Sequence, residues 1–347
     1  MLSLPEHKGE KSGSLRILDF QKLPFKPKRM FWVQSVNAGE IRGAHGHYKD
    51  KQQLFVADYN FRRRVWALNQ SLSRGSEAYT LYVLALDGNA KEAFGEKNWK
   101  NKNIKVVFVE DLLKSDKHLL RCSANKPSPE AFNVSGGDSQ RATWMQFVWS
   151  LSAYFTWYCL EELDIEDILY VDADVYFFDS WEKIYDNLDN VSIGIVEHRC
   201  PYSPSNGKYN VGIVYFKNNI DGYKCSTWWK NCLLFTDNQY YETHGMCGDQ
   251  KYLELFEELF DGVKVLDEYF GHIAPWNYAY HGYDGYGSVV RDGKLQKLMY
   301  CHFSNFKPNY EQNTYLMAPR HGFSKASNTF INKIYDEYFN CLKRVND

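Results

Sequence analysis

Asp172 and Asp174 close the apolar run Ile168-Leu169-Tyr170-Val171 and lead straight into Val175-Tyr176-Phe177-Phe178. An apolar strand that ends in two carboxylates two residues apart delivers both to the C-terminal edge of a sheet, where open α/β sheets bind ligands. Two ionised acids this close among apolar neighbours repel each other and lose solvation, and a divalent cation relieves both penalties. Oxygen ligands favour Mg²⁺ or Mn²⁺, ions that also take substrate phosphates. A turn with two solvated aspartates is the competing reading, because Asp is common in turns.

The flanking sequence supplies the elements that would hold such a site. Arg29–Val36 reads as a strand and Asn37–Glu40 as a turn, while Gln53–Ala57 is a short apolar run read as another strand. A helix follows over Phe61–Leu72, with Val65, Leu68 and Leu72 on one side. Tyr79–Leu86 and Ile104–Val109 are continuous apolar strands, and Ser192–Val196 and Val211–Phe216 are two more. This alternation predicts an α/β fold with a parallel sheet covered by helices on both faces. Gly248–Phe260 reads as a helix, and past Pro308 the chain is irregular until an amphipathic helix over Phe330–Leu342.

The charge-free stretch Ala142–Leu160 approaches the length that crosses a bilayer. It also contains Thr143, Gln146, Ser150, Ser152 and Thr156, and its Trp144, Phe147, Val148, Leu151, Phe155 and Tyr158 recur at helical spacing. A buried core helix is therefore expected. The chain has 347 residues, with 41 Lys and Arg against 43 Asp and Glu, a formal charge of −2. No basic field exists to attract nucleic acid, so a nucleic-acid partner is not expected. Eight cysteines are scattered without a C-x-x-C pair, and the N-terminus lacks the basic-then-apolar order of a signal peptide. Reduced thiols in a cytoplasmic protein are the expectation. Aromatic residues reach 17%, the one unusual global number.

From about Gln53 to Pro308 the chain resembles nucleotide-sugar glycosyltransferases of the GT-A fold, similar to glycosyltransferase family 8 and bacterial surface-polysaccharide relatives. The resemblance is carried by Phe55-Val56-Ala57-Asp58-Tyr59-Asn60, Tyr82-Val83-Leu84-Ala85-Leu86-Asp87, Asp172-Ala173-Asp174, Glu197-His198-Arg199 and Asn210-Val211-Gly212. It continues through Gly248-Asp249-Gln250-Lys251-Tyr252-Leu253, Ala274-Pro275-Trp276-Asn277 and Tyr300-Cys301-His302-Phe303. It implies a GT-A (Rossmann-like) mixed, mainly parallel sheet with helices on both faces, plus a short N-terminal β-rich extension.

Residue by residue, the resemblance implies that Asp172, Asp174 and His302 hold Mn²⁺ or Mg²⁺ against the diphosphate of a nucleotide-sugar donor. Donor contacts would come from Ala57, Asp58, Asp87, Asp172, Asn210, Gly212 and Lys307. Catalytic roles would fall to Asp249, Gln250 and Asn210, and acceptor contacts to Glu197, His198, Trp276 and Asn277. Read by itself, His302 is a core histidine beside Phe303, Asp58 is a helix N-cap, and Asp249 and Gln250 are equally simple caps. Two departures stand out. Asn305 occupies a position that is usually Gly, with Lys307 at shorter spacing, and helix Ala142–Leu160 has no arginine for the donor. The implied activity is metal-dependent transfer of a sugar, with retention, to a glycan or lipid-linked acceptor in surface-polysaccharide synthesis. It would take place in the cytoplasm, with peripheral contact at the inner membrane face.

Residues 15 to 55, with Arg29-Met30-Phe31-Trp32-Val33 and Arg42-Gly43-Ala44-His45-Gly46-His47, resemble part of a cupin nucleotide-sugar 3,4-ketoisomerase. A cupin barrel needs roughly twice this length to close. The expected division is therefore 1–52 as a cupin-like extension, 53–310 as the transferase and 311–347 as an irregular segment with a helix. The extension would add strands to the transferase or pair with a cupin partner or a second copy through a strand edge. Two rival functions remain: a ketoisomerase-related protein using His45 and His47, and a non-catalytic glycan-binding or scaffold protein.

Overall fold

The computed structural model describes residues 29–34, 52–75, 79–86, 103–123, 138–200, 207–235, 248–266, 270–278, 281–319 and 328–344. Asp87, the expected turn at Asn37–Glu40, and His45 and His47 lie outside the described residues. So does the side chain of Trp144.

Eight strands, β1 (Arg29–Gln34), β2 (Tyr79–Ala85), β3 (Ile104–Phe108), β4 (Asp167–Val171), β5 (Val175–Phe177), β6 (Ile193–Glu197), β7 (Tyr209–Lys217) and β8 (Val263–Val265), lead the described chain. All but β5 form one sheet in the order β3-β2-β1-β4-β7-β6-β8. β3, β2, β1 and β4 run parallel, as do β6 and β8, while β7 is antiparallel to both β4 and β6. The sheet is thus mixed and mainly parallel, as expected. Its parallel strands are nearly continuous apolar runs because both faces are covered. On one face Tyr82, Leu84, Ile168 and Tyr170 pack with Phe147, Val148, Leu151 and Phe155 of the long helix Asp138–Glu161. On the other, Leu81, Val83, Leu169 and Val171 meet Val65, Leu68 and Leu72 of the helix Gln52–Leu72.

Several expectations change. Gln53–Ala57 begins the helix Gln52–Leu72 instead of forming a strand, since a five-residue apolar run fits either element. The central sheet position is occupied by β1, from the segment with cupin resemblance, paired with β2 and β4. Ala57 and Asp58, expected just past a strand, fall in that helix, and their side chains lie outside the described residues. The long helix starts at Asp138, earlier than expected, and so does include an arginine, Arg141. Gly248–Phe260 is not one helix: Gly248 at φ 60° lies in the left-handed region, and the chain turns before a 3₁₀ segment Lys251–Leu255 and a short helix Phe256–Leu259.

A second sheet comprises β9 (Gly271–Ile273), β10 (Gly282–Tyr283), β11 (Ser288–Arg291), β12 (Lys294–His302) and β5, in the order β10-β11-β12-β5 with β9 beside β12. The C-terminal helix Thr329–Lys343 starts at Asn328, whose side chain accepts from the backbone N–H groups of Phe330 and Ile331. It closes an aromatic cluster containing Tyr176, Phe303, Phe306, Tyr335, Tyr338 and Phe339, which absorbs much of the aromatic excess. No helix among the described residues is long and apolar enough to cross a membrane. Every described cysteine is a free thiol.

Candidate metal centre

Antiparallel pairing of β12 with β5 sets His302 opposite Val175, beside Asp174. Two backbone bonds lock this corner. Asp172 N–H donates to Gly212 O at 2.9 Å, and Phe303 N–H donates to Asp174 O at 2.8 Å. Nε2 of His302 then lies 3.1 Å from Asp174 Oδ1 and 3.4 Å from Asp172 Oδ2. One ligand atom from each of the three residues lies within 4.8 Å of the others. The Asp174 side chain is fully buried, while that of Asp172 retains 22% exposure, so the cluster opens to solvent on the Asp172 side.

The tautomer of His302 follows from its neighbours. Gly212 N–H donates to Asn210 Oδ1 at 2.9 Å, and Val211 N–H donates to Gln250 Oε1 at 3.2 Å. These backbone donors fix both amide orientations, and Asn210 Nδ2 donates to Gln250 Oε1 at 2.8 Å. Asn210 Oδ1 therefore faces His302 Nδ1 as an acceptor at 3.3 Å, which calls for the proton on Nδ1. In the neutral ring that leaves the Nε2 lone pair pointing at two carboxylate oxygens. Acceptors facing one another are relieved only by a proton or a cation, and an imidazole whose far N–H is held by a second residue is the usual metal-ligating arrangement. Two carboxylates and one imidazole suit Mn²⁺ or Mg²⁺, so the residues present fit the metal that the sequence suggested.

Electrostatics agree with the geometry. Burial alone would lower the pKa of His302, but Asp174 and then Asp172 override it and raise it. Burial alone would raise that of Asp174, and His302 and Arg64 instead hold it below the usual carboxylate value. Asp172 is raised, by burial first and by Asp174, against the opposing pull of His302. Asp249 is pushed up to about 7 by burial, with Ser152 opposing through a 2.6 Å hydrogen bond and Asp172 adding to the rise. Gly212 is required here: a Cβ would come within 2.6 Å of both Asn210 Oδ1 and His302 Nδ1.

The structure therefore brings Asp172, Asp174, His302, Asn210, Gly212 and Gln250 together. The Gln250 side chain makes no cap bond and engages Asn210, while the Asp249 carboxylate accepts from the Ser152 hydroxyl and from the backbone N–H groups of Asp249 and Gln250. Trp276 packs edge-on against His302 and His198, with ring centroids 5.1 Å and 4.9 Å apart, and its indole N–H donates to His198 O at 2.8 Å. Asn277 is fully buried and accepts from Ala274 N–H at 2.8 Å. Glu197 pairs with Arg199 and Arg291. Asn305 adopts φ 61°, so the turn where glycine is usual survives, and half-buried Lys307 opens the short strand Lys307–Asn309 beyond it.

Sequence reasoning missed Arg64, Tyr170 and Ser152. Arg64 is buried, its Nη1 3.5 Å from Asp174 Oδ2 and its Nη2 donating to Phe306 O at 2.8 Å. An arginine four positions before Leu68, in register with the buried face, was the available signal. Tyr170 donates its hydroxyl proton to Asp172 Oδ1.

A family model described as "FdtA: WxcM-like, C-terminal" matches residues 1–62, in line with the N-terminal resemblance. The uncharacterized protein YfnD of Bacillus subtilis (strain 168) is 25% identical over 247 residues, covering 68% of this chain and 71% of its own. Among solved structures, the galactosyltransferase LgtC in complex with donor and acceptor sugar analogs aligns over 88% of this chain and 99% of its own, at 14% identity and TM-score 0.46. Mouse xyloside xylosyltransferase 1 aligns over 80% and 97%, at 14% identity and TM-score 0.45.

Proposed function

We propose that this chain is a GT-A glycosyltransferase that uses a divalent cation to move a sugar from a nucleotide-sugar donor to a saccharide acceptor. The observation that carries the reading is the convergence of Asp172, Asp174 and His302, with the His302 tautomer fixed through Asn210 and Gln250. Mn²⁺ or Mg²⁺ held by these three side chains would neutralise the diphosphate and stabilise the charge that grows on it as the leaving group departs.

The chain's own groups take the remaining roles. Asn210 and Gln250 keep Nε2 of His302 directed at the carboxylates. Gly212 lets the donor sugar and the His302 ring approach the same stretch of backbone. Arg64 keeps Asp174 ionised, and Asp249 lies beside the reacting centre with a carboxyl poised to hold or release a proton. Ala57, Asp58, Asp87 and Lys307 remain proposed donor contacts, and Glu197, His198, Trp276 and Asn277 proposed acceptor contacts. The proposed outcome is retention, with a glycan or lipid-linked acceptor in surface-polysaccharide synthesis at the cytoplasmic face of a membrane.

Strand pairing supports drawing the transferase unit from β1 instead of from residue 53, because residues 29–34 sit between β2 and β4. Packing of Thr329–Lys343 against Tyr176, Phe303 and Phe306 likewise supports including the C-terminal helix.

A screen of nucleotide sugars for hydrolysis and transfer, with Mn²⁺ and with EDTA, tests the reading. Metal-dependent release of the nucleoside diphosphate is expected, and none with any donor sinks the proposal. NMR of the product anomer checks retention. Activity lost with His45→Asn yet kept with Asp172→Asn would favour the isomerase instead.

A further inference from the structure

A cavity of about 170 Å³ lies beside the metal centre, lined by Arg199, Asn277, His281, Arg291 and Asp292. Its wall adjoins the proposed site through Trp276, which precedes Asn277 in the chain and packs against His302. The side chain of Asn277 is fully buried, and its Oδ1 is committed to Ala274 N–H. Its Nδ2 is thereby fixed as the other atom, and it has no hydrogen-bond partner among the described residues. The buried Nε2 of His281 likewise has none. A buried amide N–H left without an acceptor is destabilising, so a donor held in this state points to an acceptor supplied by a ligand.

The charge of the lining identifies that acceptor. Glu197 Oε2 lies against the Nη2 atoms of both Arg199 and Arg291, the latter at 3.6 Å, and holds the two guanidinium groups at one site. One carboxylate shared by two arginines leaves an excess positive charge. Asp292 approaches Arg291 Nε at 3.4 Å, but its side chain is 84% exposed on the rim, where solvent screens it. The field inside is positive at His281: its pKa falls to about 4, through burial first and then Arg199, and Asp292 only partly opposes this. His272, buried behind, is lowered well below its usual value by burial and by Arg199. Both histidines are thus neutral near pH 7, and among the described residues the charged groups that line the cavity are Arg199, Arg291 and Asp292, with Glu197 between the two arginines.

We propose that this cavity binds an oxyanion, a carboxylate or phosphoryl group, carried by the acceptor. Arg199 and Arg291 supply the charge, and Asn277 Nδ2 supplies a directed hydrogen bond. The assignment to the acceptor rests on the transferase reading, whereas the binding of an oxyanion does not. The acceptor would then be an acidic saccharide, such as a uronic acid, or a phosphorylated one.

Calorimetric titration of the full chain in EDTA with D-glucuronate, D-glucose 6-phosphate and D-glucose tests this. Saturable binding of at least one anion is expected, with D-glucose at least roughly tenfold weaker, and the tighter anion separates carboxylate from phosphoryl. Arg291→Gln should weaken anion binding roughly tenfold or more. Asn277→Asp keeps the acceptor that caps Ala274 and replaces the donor with a charge, so it should abolish binding while the thermal melt shows an intact fold. Equal affinity for D-glucose, no anion binding, or anion binding unchanged in both variants overturns the proposal. Because EDTA removes the metal, failure of the transferase reading appears separately, as absence of Mn²⁺-dependent donor turnover.

Discussion

His302 and Phe303 are neighbours in the chain but belong to regions of opposite character. His302 joins Asp172 and Asp174, where acceptors face one another and every pKa is displaced. Phe303 stacks on Tyr338 with ring centroids 3.9 Å apart at 13°, and meets Tyr335 edge-on at 4.8 Å, in a buried cluster of packed rings. The acid site is costly without a proton or a cation between its facing acceptors. The aromatic cluster, with Gly212, Asn210 and Gln250, holds it in place. The same strand end thus serves stability on one side and chemistry on the other.

The largest expected effect attacks the acid side. Asp174→Asn should reduce Mn²⁺-dependent donor turnover by about 10³-fold or more in steady-state assays, with the near-UV circular dichroism of the fold retained. Turnover close to wild type would remove the distinction between the two regions. Phe303→Ala attacks the other side and should destabilise the protein by about 3–5 kcal/mol, read from denaturant unfolding. A loss under about 1 kcal/mol would mean that the cluster is not what supports the corner.

Gly212→Ala probes the link between them. The added methyl displaces His302 or Asn210, so metal affinity should drop by roughly 10–100-fold in a Mn²⁺ titration while global stability changes little. The smallest effect concerns pH. Asp249 titrates at about 7 when folded against an ordinary value of 3.8, so the folded state holds the proton more tightly. Its contribution to stability is fully present below about pH 4 and is lost as pH rises to about 7, at up to about 1.4 kcal/mol per pH unit. In metal-free protein, Asp249→Asn should flatten that slope, and an unchanged slope would contradict the assignment.

Elements with a strong local pattern were legible in the chain. Tyr79–Ala85 and Asp167–Val171 are apolar on both faces, and the helix carrying Val65, Leu68 and Leu72 shows its buried side directly. Gln53–Ala57 is too short an apolar run to carry a period that separates strand from helix. Arg29–Val36 reads as a strand from its own residues, but the place of β1 at the centre of the sheet is a matter of pairing with β2 and β4, which no local signal encodes. For the site, motif order marks Asp172, Asp174, His302, Asn210 and Gln250. Arg64 lies in no such motif, and its partner Asp174 is 110 positions away.

The sequence by itself determined the chemistry available: two carboxylates at a strand end, a histidine in the later motif, and a residue at 305 able to take positive φ. These are short-range properties, set by residue type and immediate neighbours. Only the tertiary structure decided which groups share a cavity: His302 opposite Val175, Asn210 fixing its tautomer, and two arginines gathered on Glu197 beside an unsatisfied Asn277. Those choices depend on strand register and helix packing, where contacts between distant segments are chosen by burial of the whole core and not by any local pattern.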